Sequence, residues 1–179
     1  MKATGIVRKI DDLGRVVIPK EIRRTMKIHE GDPLEIYTDK NGEVIFKKYS
    51  MMEELSSIAN KYADILFKIS GFPTVIIDKD NVIAVSGTSK KDLLDRKISL
   101  QLEKIINENP SSHVHSQKEP IVVVDGDVKY SIKIMYPVIS AGDCVGAVIL
   151  LSDEKKSQIG ETEEKLVNIT AKFLGAQIE

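Results

Sequence analysis

The sequence predicts an α+β protein of two units, a small strand-rich one at the N-terminus and a larger mixed one behind it. Three observations carry that expectation. Residues 5–49 break into short apolar runs separated by Gly, Pro and Asn-Gly turn signals. From Ser50 the apolar spacing changes to the 3-4 pattern of an amphipathic helix, and it does so again after Thr162. Between those two helices, runs rich in Val and Ile are joined by Asp/Gly turns, the pattern of an antiparallel sheet flanked by helices.

Residues 5–49 read as strand, turn, strand, short helix, strand, turn, strand. Leu13-Gly14 closes the first pair, Pro19 suits the first position of a helix, and Gly31-Asp32-Pro33 ends it. Asn41-Gly42 lies between Leu34-Glu35-Ile36-Tyr37 and Glu43-Val44-Ile45-Phe46 and predicts a two-residue hairpin. Leu34 and Ile36 can share a face with Val44 and Phe46, whereas Ile6, Arg8 and Ile10 point the same way in the first hairpin. About fifty residues with one short helix cannot enclose a core without disulfides or metal. Cys144 is the sole cysteine, so no intrachain disulfide and no cysteine cluster is available. A dimer that pools or exchanges hairpins is the expected remedy, its apolar sides inward and its arginines doubled outside.

Ser50-Met51-Met52-Glu53 fits a capping box for a connecting helix running to about Ser70, with Leu55, Ile58, Ala59, Tyr62, Ile65, Leu66 and Ile69 in its stripe and Gly71-Phe72-Pro73 as its stop. Strands are expected at Thr74–Asp78 and Val82–Ser86, then a helix over Asp92–Asn107. Further strands are expected at Ile121–Val124, Lys129–Ile139 and Cys144–Leu151. A last helix from about Thr162 places Leu166, Ile169, Phe173 and Gln177 on one side. The expected domains are therefore 1–50, a connecting helix 51–71, and 72–179.

A net charge of −1 conceals a polar chain. Residues 1–28 carry eight basic side chains against three acidic, and residues 51–179 carry 15 against 19. Arg8, Lys9, Arg15, Arg23 and Arg24 fall on short strands and a helix, which gives a cationic surface of fixed shape for a polyanion. In the helix, Ile22 and Met26 can pack inward while Lys20/Arg24 and Arg23/Lys27 lie outside. No run approaches the roughly 18 apolar residues of a membrane span, and the first residues lead into no signal-peptide core; a cytoplasmic protein with no membrane partner is expected. Metal and cofactor sites are not expected: His113-Val114-His115 reads as a polar loop, Cys144 as a small buried apolar residue, and Asp125-Gly126-Asp127 and Asp78-Lys79-Asp80 as turns. Without a paired carboxylate, triad or phosphate-binding glycine loop, the chain is not expected to be an enzyme.

The run Thr4-Gly-Ile-Val-Arg-Lys-Ile-Asp-Asp-Leu-Gly-Arg-Val-Val-Ile-Pro-Lys-Glu-Ile-Arg-Arg-Thr25 resembles the N-terminal module of the AbrB-type transition-state regulators of spore-forming Gram-positive bacteria. The likeness extends from Lys2 to Tyr49 and rests on the Gly-Arg-Val-Val-Ile-Pro core and the double arginine. It implies a swapped-hairpin β-barrel dimer that binds double-stranded DNA through Arg8, Arg15, Arg23 and Arg24, with Lys9 nearby. Guanidinium groups suit that role, since they pair bidentately with phosphate and reach guanine edges. Residues 72–179 resemble the GAF sensory fold in architecture. The resemblance as a whole implies a transcription regulator, activator or repressor, acting during sporulation. Paired arginines on a barrel-like surface select by DNA shape as much as by base edges, so A/T-rich or deformable sites without a sharp consensus are expected. Signatures of the cyclic-nucleotide-binding, chromophore-binding and haem-binding members are missing, so the implied small-molecule effector has no name. The stripe on the connecting helix packs either on its own domain or on the same helix of another subunit. Two dimeric interfaces per chain give a tetramer, with a dimer as the alternative. Two other roles fit parts of the pattern: an antitoxin-like partner of a toxin protein, and a small-molecule sensor in which DNA contact is incidental.

Overall fold

The computed structural model describes residues 5–49, 55–108, 114–115, 120–126, 130–152 and 159–178. The chain divides after Tyr49 into two compact units. The N-terminal unit holds one helix, α1 (Lys20–Thr25), and one hairpin, β1 (Leu34–Thr38) with β2 (Val44–Lys48). Ile36 stands opposite Phe46 and Thr38 opposite Val44, so the apolar face read from the alternation is there.

The turn of that hairpin is longer than the two residues expected. Asp39 controls it: its carbonyl accepts from Gly42 N at 3.3 Å, its N–H donates to Glu43 O at 3.1 Å, and its Oδ1 accepts from Asn41 N at 3.0 Å and Glu43 N at 2.8 Å. Gly42, at φ 80°, takes the left-handed position that follows a type I turn. The earlier stretch has the same turn around Asp11, but residues 5–10 and 15–18, expected as strands, are not joined into a sheet. A two-stranded hairpin with no third layer gains too little burial to be stable alone. Pro19 is the only buried described residue of this unit, while Val7 is 90% and Ile36 62% exposed.

The C-terminal unit is a five-stranded antiparallel sheet in the order β4-β3-β7-β6-β5, with β3 (Thr74–Asp78), β4 (Val82–Ser86), β5 (Val114–His115), β6 (Ile132–Ser140) and β7 (Asp143–Leu151). Helices α2 (Ser56–Ser70) and α5 (Glu161–Ala176) cover one face. The short α3 (Lys90–Leu93) and α4 (Leu100–Glu108) cover the other. Both faces are therefore dry, which is why β7 reads as an almost unbroken apolar run rather than an alternating one. Val145, Val148 and Leu150 join the α2/α5 core, while Ala147, Ile149 and Leu151 join the α3/α4 core.

Several expectations shift on contact with the structure. The helix placed over Asp92–Asn107 is broken, because Leu94 is extended and Asp95 sits at φ 61°. The intervening backbone instead bonds to the β3–β4 turn region, Val82 N to Arg96 O at 2.9 Å and Ile98 N to Asp80 O at 3.0 Å. Ser99 then restarts the helix, its Oγ accepting from Leu102 N at 3.2 Å. The strand expected at Ile121–Val124 is reduced to a single bridge, Val122 with Ser131. The capping box at Ser50–Glu53, His113 and Asp127 lie outside the described residues.

Helix faces were only half legible. In α2 the buried positions are Ala59, Ala63, Leu66 and Ser70, whereas Ile65 and Ile69 face out. In α5 the buried side is Val167, Thr170, Ala171, Leu174 and Gly175, and Ile169 and Phe173, grouped on one side by their spacing, are exposed. Close packing on a sheet selects small side chains, while the larger ones lie to the side, where Phe173 stacks on Tyr62 at 4.7 Å between ring centroids.

Side chains tie α2 and α5 to the sheet. Ser86 Oγ donates to Asp64 Oδ1 at 2.6 Å, and the Phe67 ring lies over Gly87, whose φ is +79°. Tyr136 OH donates to Glu164 Oε1 at 2.6 Å, and that bond, helped by partial burial, pushes the phenol up to about 12. Gly175 passes directly over the backbone of Ile139, where a methyl group would run into the Ile139 carbonyl oxygen.

Gly175→Ala is accordingly expected to lower stability by about 1–3 kcal/mol through overpacking, read as the midpoint of chemical unfolding. Tyr136→Phe is expected to cost about 1–2 kcal/mol at neutral pH by removing the phenol's hydrogen bond to the Glu164 carboxylate. The phenol ionises near 10.0 in the unfolded chain and near 12 in the folded one, so the advantage over Phe holds below pH 10 and disappears as pH rises to 12. A wild-type and Phe pair whose stabilities stay parallel from pH 8 to pH 12, a range spanning about two units either side of free tyrosine, would show that the Tyr136–Glu164 bond adds no stability.

Candidate nucleic-acid interface

Arg8, Lys9, Arg15, Arg23 and Arg24 are all exposed. Arg8 and Lys9 precede the Asp11 turn, Arg15 follows it, and Arg23 and Arg24 occupy the last turn of α1. Within the single chain, backbone and side-chain bonding order two of these groups.

The first is α1. Pro19 stands at its N-cap with φ −59°, and its carbonyl accepts from Arg23 N at 3.0 Å. At the other end Ile28 N donates to Arg23 O at 2.8 Å and Lys27 N to Arg24 O at 3.3 Å, with Lys27 at φ 52°. That pair of bonds is a Schellman motif whose left-handed residue is Lys rather than Gly, and it caps the carbonyls of both arginines. Lys48 Nζ donates to Lys27 O at 3.2 Å and lies 3.7 Å from Asp32 Oδ2, while His29 N donates to the same carboxylate oxygen at 2.8 Å. The end of α1 is thus tied to β2, and Arg23 and Arg24 project from fixed backbone.

The second group is the turn at Asp11. Its carbonyl accepts from Gly14 N at 3.0 Å, and its Oδ1 accepts from Leu13 N at 3.0 Å and Arg15 N at 2.7 Å. Its other oxygen, Oδ2, takes the Arg15 Nε hydrogen at 2.8 Å. The bonds from the Arg15 backbone and side chain hold the Asp11 carboxyl below the usual carboxylate range. Its bonding is therefore complete at neutral pH and is lost only as pH falls through that lowered value.

Sequence reading picked out the cations and missed the groups that hold them: Asp11, Asp32 and Lys48. Asp at the first position and Gly at the fourth of a turn was the available signal for Asp11. Asp32 and Lys48 are sixteen residues apart, so no local pattern joins them. Elsewhere, Cys144 is buried, and desolvation raises its thiol, as a packing role requires. Asp78 Oδ1 caps its own turn through Asp80 N at 2.7 Å and Asn81 N at 2.6 Å. No helix among the described residues is long and apolar enough to cross a membrane.

Comparison with known proteins gives two family matches along the chain. Residues 54–179 match the family described as stage V sporulation protein T C-terminal, transcription factor, and residues 7–53 match the family described as antidote-toxin recognition MazE, bacterial antitoxin. Stage V sporulation protein T of Bacillus subtilis (strain 168) is 50% identical over 180 residues, covering 100% of this chain and 99% of its own length. Transition state regulatory protein AbrB of the same organism is 65% identical over 49 residues, 27% of this chain and 50% of AbrB. The GAF domain of Acinetobacter phosphoenolpyruvate-protein phosphotransferase superposes with a TM-score of 0.56 at 12% identity, over 74% of this chain and 84% of that domain. That superposition assigns the C-terminal unit to the GAF fold. With an AbrB-like module ahead of a GAF-fold unit, and a relative alike from end to end, the chain belongs to the stage V sporulation protein T family of transcription factors.

Proposed function

We propose that this DNA-binding regulator of sporulation genes meets the duplex through Arg8, Arg15, Arg23 and Arg24, with Lys9 beside them, on the doubled surface of an N-terminal swapped-hairpin dimer. The observation that carries the reading is the pairing of two exposures in one small unit. Its cations are free of the interior, and its apolar residues, Val7, Ile10, Val17 and Ile36 among them, are uncovered as well. A second copy buries the latter and doubles the former. The stretches 5–10 and 15–18, which are not joined into a sheet within the single chain, are the strands such a partner would complete. Cationic side chains on this scale release counterions from DNA and dominate affinity, while fixed guanidinium groups add groove contacts.

A second interface supports a tetramer. On the C-terminal unit, Ile65 and Ile69 of α2 are exposed, as are Ile169 and Phe173 of α5, and the Tyr62–Phe173 stack links the two helices. Pairing through these helices joins two N-terminal dimers. The C-terminal unit then serves as the assembly half and the seat of a small-molecule effector, in a protein whose role is regulatory and not catalytic. An antitoxin-like role is the second reading, favoured by the match of residues 7–53. The full-length likeness to a sporulation protein favours the first.

Two measurements test this. Fluorescence anisotropy with an A/T-rich duplex across a salt series is expected to give a log–log slope of about −5 to −7 for six to eight contacts, with Arg23→Ala/Arg24→Ala losing both affinity and slope. Binding that ignores the double substitution would move the interface off α1. Sedimentation equilibrium is expected to return four chains per particle, reduced to two by Ile69→Glu/Ile169→Glu; a particle of two chains in the unsubstituted protein would overturn the tetramer.

A further inference from the structure

We infer that Asp11 is a specificity-determining residue that sets the orientation of Arg15 and turns it from phosphate towards base edges. The inference rests on the reading of Arg15 as a DNA contact. Its ground is a comparison the molecule makes with itself. The turns at Asp11 and Asp39 are built alike: in each, the carbonyl accepts from the glycine three residues on, the N–H donates to the carbonyl four residues on, and Oδ1 accepts two further backbone N–H groups. One carboxylate oxygen is therefore sufficient to close this turn.

The second oxygen is where they differ. In the Asp39 turn, Oδ2 accepts from Asn41 Nδ2 at 3.0 Å, inside the turn itself. In the Asp11 turn it reaches across to Arg15 Nε at 2.8 Å. That bond adds nothing the turn needs, and between exposed partners it adds little stability. What it does is mechanical and electrostatic. With Nε engaged, the guanidinium plane is fixed and its terminal nitrogens, Nη1 and Nη2, remain as a parallel pair of donors. Such a pair matches O6 and N7 of guanine in the major groove. A carboxylate at hydrogen-bond distance also offsets the pull of that guanidinium on phosphate oxygens, which attract by charge alone wherever they occur. An arginine so held loses part of its general affinity and keeps its directional one.

The test separates the turn from the arginine. Asp11→Asn retains an Oδ1 acceptor for the backbone and replaces the oxygen on Arg15 with a donor; Asp11→Ser also caps the turn with one oxygen and cannot bridge to Nε. Full-length protein would be titrated against a duplex selected by the unsubstituted protein from a random library, and against its scramble, with thermal unfolding followed in parallel. Both variants are expected to bind the scramble about two- to fivefold more tightly and to lose about five- to tenfold in the ratio of selected to scrambled affinity, within the range a bidentate base contact supplies. Arg15→Ala is expected to lose affinity for both duplexes and most of the same ratio. If Arg15→Ala weakens binding while Asn and Ser keep the wild-type ratio, Asp11 serves the turn alone and the inference is overturned. If Arg15→Ala binds like the unsubstituted protein, the placement of Arg15 on DNA fails, and the inference with it. Should Asn unfold the protein, the Ser variant decides by the same ratio.

Discussion

The N-terminal unit cannot close a core around itself, and that constraint shapes the rest of the molecule. Fewer than fifty residues, one helix of six residues and one hairpin leave nearly every apolar side chain in contact with water. The local structure that does form is held by polar devices: two aspartate turns, a Schellman cap and the Lys48–Asp32 link. These fix the backbone beneath the arginines without needing a packed interior. Shape comes from hydrogen bonding within the chain, and cohesion is left to association.

The C-terminal unit solves the opposite problem. Its sheet is buried on both faces, so every strand position must find apolar company and every helix must approach closely. Small residues make that approach possible: Ala59 and Ala63 in α2, Ala171 and Gly175 in α5. The large apolar residues displaced to the helix flanks are then available to another subunit. Tight packing on the sheet thus leaves large apolar side chains exposed along the helix flanks.

Much of this was legible in the residues. The strands at Thr74–Asp78 and Val82–Ser86 agree with the structure residue for residue, because short β-branched runs bounded by turn residues leave little freedom of assignment. Helix boundaries were close at Gly71, read as the stop of α2, and at the start of α5, expected at about Thr162 and found at Glu161. Which face of a helix turns inward was only half legible, since periodicity records apolar residues without saying which are small enough to lie against a sheet. The break after Leu93 escaped too: the 3-4 pattern continues through it, and only tertiary bonds from Arg96 and Ile98 to the neighbouring strand region override it. Among the candidate DNA contacts the charges themselves were plain, whereas their holders required long-range geometry, or recognition that Asp11 and Asp39 head the same turn.

The seating of Phe67 over Gly87 limits how α2 can move on the sheet. An aromatic ring resting where any side chain at position 87 would stand works as a key in a slot. Sliding α2 along its axis by a helical turn would lift the ring from that slot and also break the Asp64–Ser86 bond. Translation is therefore locked, and rotation is opposed by the alanines wedged on the sheet. Tilting about the Phe67 end is the motion these contacts oppose least, because both of them lie in the C-terminal half of α2.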